Sequence, residues 1–390
     1  MSGATGTDPV ELSTALIRCP SVTPEEGGAI QLLQERLSAA GFACSRADRG
    51  EVSNLYARFG ASGPVFGFNG HTDVVPVGDL EAWSFDPFGG LIRDGEILGR
   101  GATDMKTGVA AFAAAAIDVS AELQASGRPG SIAVLITGDE EGPGVDGTVA
   151  ILDWMASAGE TLDLCLVGEP TSREVLGDII KIGRRGSMTA HLRANGRQGH
   201  TAYPHRALNP LPALCALLAE LAAHELDRGT EHFQPSTLAL TTVDAGNPAS
   251  NVIPREARAT LNIRFNDAHT GASLTEWLRE RAAAAQDATG VRIELDVRIS
   301  GEAFLTPPGA LSALLERAVH AEIGAVPELS TSGGTSDARF VKDHCPVAEF
   351  GLVGRTMHQV DERAPVSEIV TLKSIYARVL RDFFGLSQTC

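Results

Sequence analysis

Apolar positions along the chain follow two rhythms. In the first half, Pro64–Asn69 (PVFGFN), Ser131–Thr137 (SIAVLIT) and Asp163–Gly168 (DLCLVG) are short apolar runs bounded by Gly, Pro or polar residues, which predicts buried strands. Met105–Ala125, rich in Ala, and Thr148–Ala158 lie between them with helical period. Strand alternating with helix predicts an α/β layer whose strands are covered on both faces. A different rhythm begins near Ser187: a strand at Met188–Ala194, a helix at Asn209–Leu226, strands at Thr237–Asp244 and Ala257–Phe265, a helix at Leu274–Gln286 and a strand at Val291–Val297. That β-α-β-β-α-β order is the ferredoxin-like plan, complete as a domain. After Pro307–Pro308 the α/β character resumes, with helices near Leu311–Ala321 and Val366–Phe384. The expected organisation is a larger α/β domain, residues 1–185 and 299–390, carrying an inserted α+β domain, residues 186–298.

Composition narrows the function classes. Hydrophobic residues at 43% and charged residues at 21% are the mix of an ordinary soluble globular protein. The 32 Lys and Arg against 49 Asp and Glu give a net charge of −17, which argues against a nucleic-acid partner and against attraction to an anionic membrane. The six cysteines are scattered without a C-x-x-C pair, which fits neither a disulfide framework nor a thiolate metal site. The first residues lack a basic region followed by an apolar stretch. The apolar runs Gly108–Ile117 and Leu211–Leu218 fall short of the roughly 20 residues a bilayer needs. A cytoplasmic enzyme with reduced thiols is expected.

Several predicted strand ends carry polar residues, and loops beyond the carboxyl ends of strands in an open α/β sheet are the usual place for a site. His71 and Asp73 follow the first strand, in a spacing that suits a metal ligand or a turn with a satisfied His. Asp104, in GRGATDMK, opens the Ala-rich helix, where its residue type alone favours an N-cap. Asp139, Glu140 and Glu141 end the second strand; three adjacent carboxylates repel one another unless a cation lies among them, the alternative being a solvated turn. Glu169 follows the third strand, and His358 stands late in the chain. Together these two His and several carboxylates, with no thiolate, suit catalytic Zn²⁺, Mn²⁺ or Co²⁺. Five protein ligands exceed one open tetrahedral site and match two metals that share a carboxylate, about 3.5–4 Å apart. One further carboxylate must stay unligated to take a proton from water.

HTDVVP, GRGATDMKTG, TGDEEG, LVGEPT and His358, in that order and spanning essentially the whole chain, resemble the dinuclear zinc amidohydrolases and exopeptidases of the M20 peptidase family. The resemblance implies a zinc-exopeptidase-like α/β catalytic domain, with a mixed sheet between helices, and an inserted ferredoxin-like α+β dimerisation domain. It implies two Zn²⁺ per subunit, with Co²⁺ able to substitute: His71, Asp104 and Glu169 on one, Asp104, Glu141 and His358 on the other, Asp104 bridging. Asp73 would orient His71 through its second ring nitrogen. Adjacency leaves Glu140 and Glu141 open as general base; the resemblance selects Glu140. It also implies a cis peptide at Asp104–Met105.

Within the family, LVGEPTS, IKIGRRGS, GRQGHTAYPH, GNPASNVIP, NIRFN and STSGGTSDARF are most similar to members that cleave N-succinyl-LL-2,6-diaminopimelate to succinate and LL-2,6-diaminopimelate. Acetylornithine deacetylases, aminoacylases and dipeptidases are the alternatives inside the family. The substrate carries three carboxylates and one ammonium, so an acidic enzyme must supply local cations; Arg184, Arg185 and Arg264 suit bidentate carboxylate binding. Gly334 and Thr335 are further candidate substrate contacts. The resemblance implies that His200 reaches the partner subunit's site and stabilises the tetrahedral oxyanion with Asn251, so that the enzyme works as a homodimer formed through the inserted domain. A retained Glu140 speaks against a catalytically dead binding protein. No G-x-G-x-x-G follows an early strand, which argues against a nucleotide-dependent oxidoreductase.

Overall fold

The structure is a computed structural model that describes residues 6–386. Cys390 and the first five residues, part of the N-terminal stretch noted above, lie outside the described residues. The chain divides into two compact units, the first comprising the residues up to Ile182, Thr306–Ser330 and those from Ser336 onward, the second Gly183–Leu305 with Thr331–Thr335.

The first unit is built on an eight-stranded mixed sheet in the order Ala43–Arg46, Leu55–Phe59, Ser131–Thr137, Val65–His71, Leu164–Val167, Val347–Glu349, Ile179–Lys181 and Glu328–Ser330. Ser131–Thr137, Val65–His71, Leu164–Val167 and Val347–Glu349 run parallel, and every residue in these four strands is buried, as continuous apolar runs require. The helix Lys106–Ser126 packs against Pro9–Ile17 and Val366–Phe384. Phe112 on it stacks on Phe68 of the sheet at 4.0 Å between ring centroids. This 21-residue helix extends the Gly108–Ile117 run and is long and apolar enough to cross a membrane by length and composition, yet 67% of its most apolar window is buried inside the unit. It is a core helix here.

The second unit is a four-stranded antiparallel sheet in the order Thr237–Asp244, Glu256–Phe265, Gly186–Asn195 and Arg292–Gly301, with helices Pro210–Ala223 and Gly271–Thr289. Along Gly186–Asn195 the residues Met188, Ala190, Leu192 and Ala194 are buried and His191 and Arg193 exposed, the period of a sheet covered on one face. Leu214, Leu217 and Leu221 of one helix and Leu274 and Leu278 of the other complete the core. Asn209 caps the first helix, accepting the Leu211 N–H at 3.1 Å.

The compact units differ from the expected domain bounds. The second unit begins slightly earlier and ends later than residues 186–298, and it takes in Thr331–Thr335 from a distant stretch of chain. That loop is tied down by polar contacts the apolar pattern does not reveal: the Arg184 guanidinium donates to the Gly334 carbonyl at 2.7 Å and the Thr331 hydroxyl to the His232 carbonyl at 2.6 Å. The five cysteines among the described residues are free thiols.

Candidate metal centre

The sheet register places the centre. His71 pairs with Thr137 and Asn69 with Val167, so three parallel neighbours end within two residues of one another and release their next residues at the same edge of the sheet. His71 is the last residue of its strand, Glu140 and Glu141 follow the second, and Glu169 follows the third. Asp104 comes from the loop before the helix Lys106–Ser126, and His358 from the loop before Arg363–Pro365.

These loops converge on the Asp104 carboxylate. Its Oδ1 lies 3.1 Å from His71 Nε2, and its Oδ2 lies 3.2 Å from His358 Nε2. His71 Nε2 is also 4.0 Å from Glu169 Oε1, and His358 Nε2 is 2.8 Å from Glu141 Oε1. Each Asp104 oxygen thus faces a different histidine with its own carboxylate partner. Ligand atoms of His71, Glu140 and Glu169, and again those of His71, Asp104 and Glu141, all lie within 4.8 Å of one another. His71, Asp104 and Glu169 are buried, Glu140 and Glu141 half-buried, and His358 exposed. The Asp104–Met105 peptide is cis.

The electrostatics fit a cation. Burial pushes the Glu140 carboxyl up to about 8, with Asp337, Glu141 and Asp104 adding repulsion that His71 only partly offsets. Burial opposes charge on Asp104, but its contacts with His358 and His71 hold it well below the carboxylate range. His358 is raised to about 10 by Asp104 and Glu141; His71, despite burial, is raised well above its ordinary value chiefly by Asp104. These upward shifts favour protons on both imidazoles and on Glu140 near neutral pH. Divalent cations among the same nitrogen and oxygen donors would supply that charge, and a thiol-free set of this kind suits Zn²⁺, Mn²⁺ or Co²⁺.

The geometry refines three of the expectations. Asp104 does not cap the helix: Met105 occupies the N-cap without a side-chain bond, and the Asp104 carboxylate faces the two histidines. Asp73 does meet the second ring nitrogen of His71, but with its main chain. His71 Nδ1 donates to the Asp73 main-chain carbonyl at 2.9 Å, while the carboxylate, 3.6 Å away, accepts the Glu140 and Glu141 N–H groups at 3.2 and 3.0 Å. Of the three adjacent acids, Asp139 turns aside and accepts the amides of Val145 and Asp146 at 3.0 Å each.

The remaining candidates lie in the second unit. Arg184 binds the Gly334 carbonyl, which brings those two together, with Thr335 next in the chain. His200 pairs with Val252 in a short ladder, Gly199–His200 with Val252–Ile253, and just beyond it the Thr201 N–H donates to the Asn251 carbonyl at 3.1 Å. His200 is exposed, and its Nδ1 accepts the Ala202 N–H at 3.0 Å. Arg264 is half-buried with Nε on Asn262 Oδ1 at 3.2 Å; burial and the nearby Arg185 depress its pKa.

Sequence reasoning missed Glu362 and its partner Arg100. Both are buried, and they pair at 2.7 Å beneath the Asp104 loop. Arg100 stands in the GRGATDMK segment, which was a signal of a kind; Glu362 works through main-chain amides and left none.

The profile of peptidase family M20/M25/M40 matches residues 67–382. A protein of Cereibacter sphaeroides called succinyl-diaminopimelate desuccinylase is 64% identical over 380 residues, covering 97% of this chain and 99% of its own. One of Ruegeria sp., called succinyl-diaminopimelate desuccinylase 1, is 60% identical over 383 residues, covering 98% and 100%. The fold is also that of aminopeptidase PepT from Bacillus cereus, with TM-score 0.77 at 19% identity over 96% of this chain and 98% of that one. It matches a dinuclear metal-binding M20 peptidase from Bacillus subtilis, with TM-score 0.72 at 14% identity over 97% and 98%. Given a profile match over most of its length and relatives at this identity from end to end, the chain belongs to peptidase family M20/M25/M40.

Proposed function

We propose that this protein is a metal-dependent amide hydrolase that cleaves N-succinyl-LL-2,6-diaminopimelate to succinate and LL-2,6-diaminopimelate. The observation that carries the substrate is the 64% identity, over nearly the full length of both chains, to a relative bearing the desuccinylase name. The cluster around Asp104 supports the chemistry. His71, Asp104 and Glu169 would hold one Zn²⁺, and Asp104, Glu141 and His358 the other, with Co²⁺ able to substitute. Two such ions, when bound, polarise the amide carbonyl and bring the pKa of a water towards neutrality.

Glu140 takes the proton from that water as its oxygen attacks the succinyl carbonyl carbon. The Asp73 carboxylate, on the Glu140 and Glu141 amides, holds Glu140 in reach of the site. The C–N bond then breaks, and Glu140 returns its proton to the departing amine nitrogen. His200 of the partner subunit and Asn251 stabilise the oxyanion in the closed homodimer, formed through the second unit. Arg184 and Arg264, with Gly334 and Thr335, bind the substrate carboxylates. A cytoplasmic setting fits a biosynthetic role. The test compares succinate release from N-succinyl-LL-diaminopimelate with acetate release from acetylornithine. A higher kcat/KM for the former is expected, and a higher value for the latter would move the protein to the neighbouring activity.

A further inference from the structure

The carboxylate of Glu362 sits behind the metal centre and outside it. One oxygen accepts Arg100 Nη1 at 2.7 Å and the Gly101 N–H at 3.1 Å; the other accepts the N–H groups of Thr103 at 2.8 Å and Asp104 at 3.1 Å. Four donors meet on one wholly buried side chain, and three of them are main-chain amides of the loop that ends at Asp104. A buried carboxylate is tolerated only when its oxygens are filled in this way.

The same residues tie down the loop that carries His358. Arg100 Nη1 also donates to the carbonyl of Gln359, the residue after His358, at 3.2 Å. Thr103 Oγ1 lies 3.0 Å from both Thr356 Oγ1 and the Arg363 carbonyl. Thr356 Oγ1 closes its own loop by accepting the Arg363 N–H at 3.1 Å. Residues 356–363 therefore form a loop fastened to the Asp104 loop at both ends. His358 sits inside it with φ +62°, a left-handed backbone that a non-glycine residue keeps only when its surroundings impose it.

We infer that Glu362 is a positioning residue for the metal centre: with Arg100 it fixes the separation of Asp104 from His358, and so sets the affinity for the cation that Asp104, Glu141 and His358 would share. The inference rests on the ligand assignment made under the proposed function. Residues that orient ligands from behind typically change metal affinity ten- to a hundredfold when altered.

The test titrates Zn²⁺ into metal-free wild-type, Glu362→Gln and Thr356→Val proteins against a chromophoric chelator, and records unfolding midpoints of the metal-free samples. Glutamine offers one acceptor oxygen where four donors converge, so Glu362→Gln is expected to weaken one of two equivalents by roughly ten- to a hundredfold. Thr356→Val, which lies at a half-buried position, weakens the same equivalent by a smaller factor. Asp227→Asn is the control for destabilisation alone. That carboxylate holds a loop of the second unit through the Gly229 and Ser236 amides, so its loss lowers the midpoint and leaves both affinities unchanged. Wild-type affinities in the variants, whatever their midpoints, overturn the inference. Should Glu362→Gln not fold, Thr356→Val decides alone, an unchanged affinity overturning it. Wild-type protein that binds fewer than two equivalents overturns the two-metal reading and this inference with it; two equivalents in the wild type with unaltered variants overturn the inference only.

Discussion

His71 Nδ1 lies 2.9 Å from the main-chain carbonyl of Asp73 and 3.6 Å from its carboxylate. The ring is therefore aimed by backbone, and the acid is left to hold the Glu140–Glu141 turn. Asp73→Asn keeps one acceptor oxygen but turns an amide donor towards a main-chain N–H. The variant should retain wild-type metal content and lose roughly ten- to a hundredfold in kcat. Loss of metal in step with activity would mean that the carboxylate, after all, sets the imidazole.

Glu140→Gln removes the proton acceptor and leaves the assigned ligands in place. Metal analysis should give the wild-type content, while kcat falls by about 10²–10⁴, the usual range for positioned acid–base groups. Substantial turnover in this variant would transfer the role elsewhere, with Glu141 the first alternative.

Metal and proton compete for this centre, with a definite sign. Glu140 rises from an ordinary value of 4.5 to about 8, so between those values the folded metal-free chain keeps a proton that the unfolded chain has released. Stability is then fully present below pH 4.5 and falls as pH rises towards 8. Raised His71 and His358 act in the same direction above pH 6.5. Chelated protein should accordingly have a lower unfolding midpoint at pH 8 than at pH 5, and the midpoint gained on adding Zn²⁺ should be larger at pH 8. A gain that is equal at both pH values, or larger at pH 5, would remove the electrostatic argument for a cation.

Gly351 lies against the main chain of the Glu169 segment. A Cβ there would overlap the Glu169 carbonyl oxygen and stand 2.8 Å from that of Gly168. Gly351→Ala must push the ligand segment aside, with a destabilisation of about 1–3 kcal/mol measured by denaturant titration, as for overpacked cores. A variant of wild-type stability and metal content would mean that the strand end adapts freely.

Much of the architecture was legible because its elements are long and strongly patterned. Ser131–Thr137, Thr148–Ala158, Thr237–Asp244 and Val366–Phe384 coincide with their expected bounds. The three-residue strands Ile179–Lys181, Glu328–Ser330 and Val347–Glu349 escaped, since three residues carry no period and pairing partners far along the chain define them. The candidate ligands could be read from polar residues after apolar strands, but which of them come together needed distances. Asp104 has the sequence signature of a cap, and only the distances put an imidazole on each of its oxygens. Glu362 binds Arg100 and three main-chain amides, and amides are common to all residues, so little in the pattern of side chains could reveal it.

A two-metal hydrolytic centre at the Asp104 cluster must lose its activity with its metal. The most direct measurement follows succinate and diaminopimelate release from N-succinyl-LL-diaminopimelate by metal-free protein receiving zero, one and two equivalents of Zn²⁺. Expected are a negligible rate without metal, equimolar products, and a rise in rate that is complete at two equivalents. Undiminished hydrolysis by the metal-free protein, or no succinate at any loading, would contradict the two-metal reading.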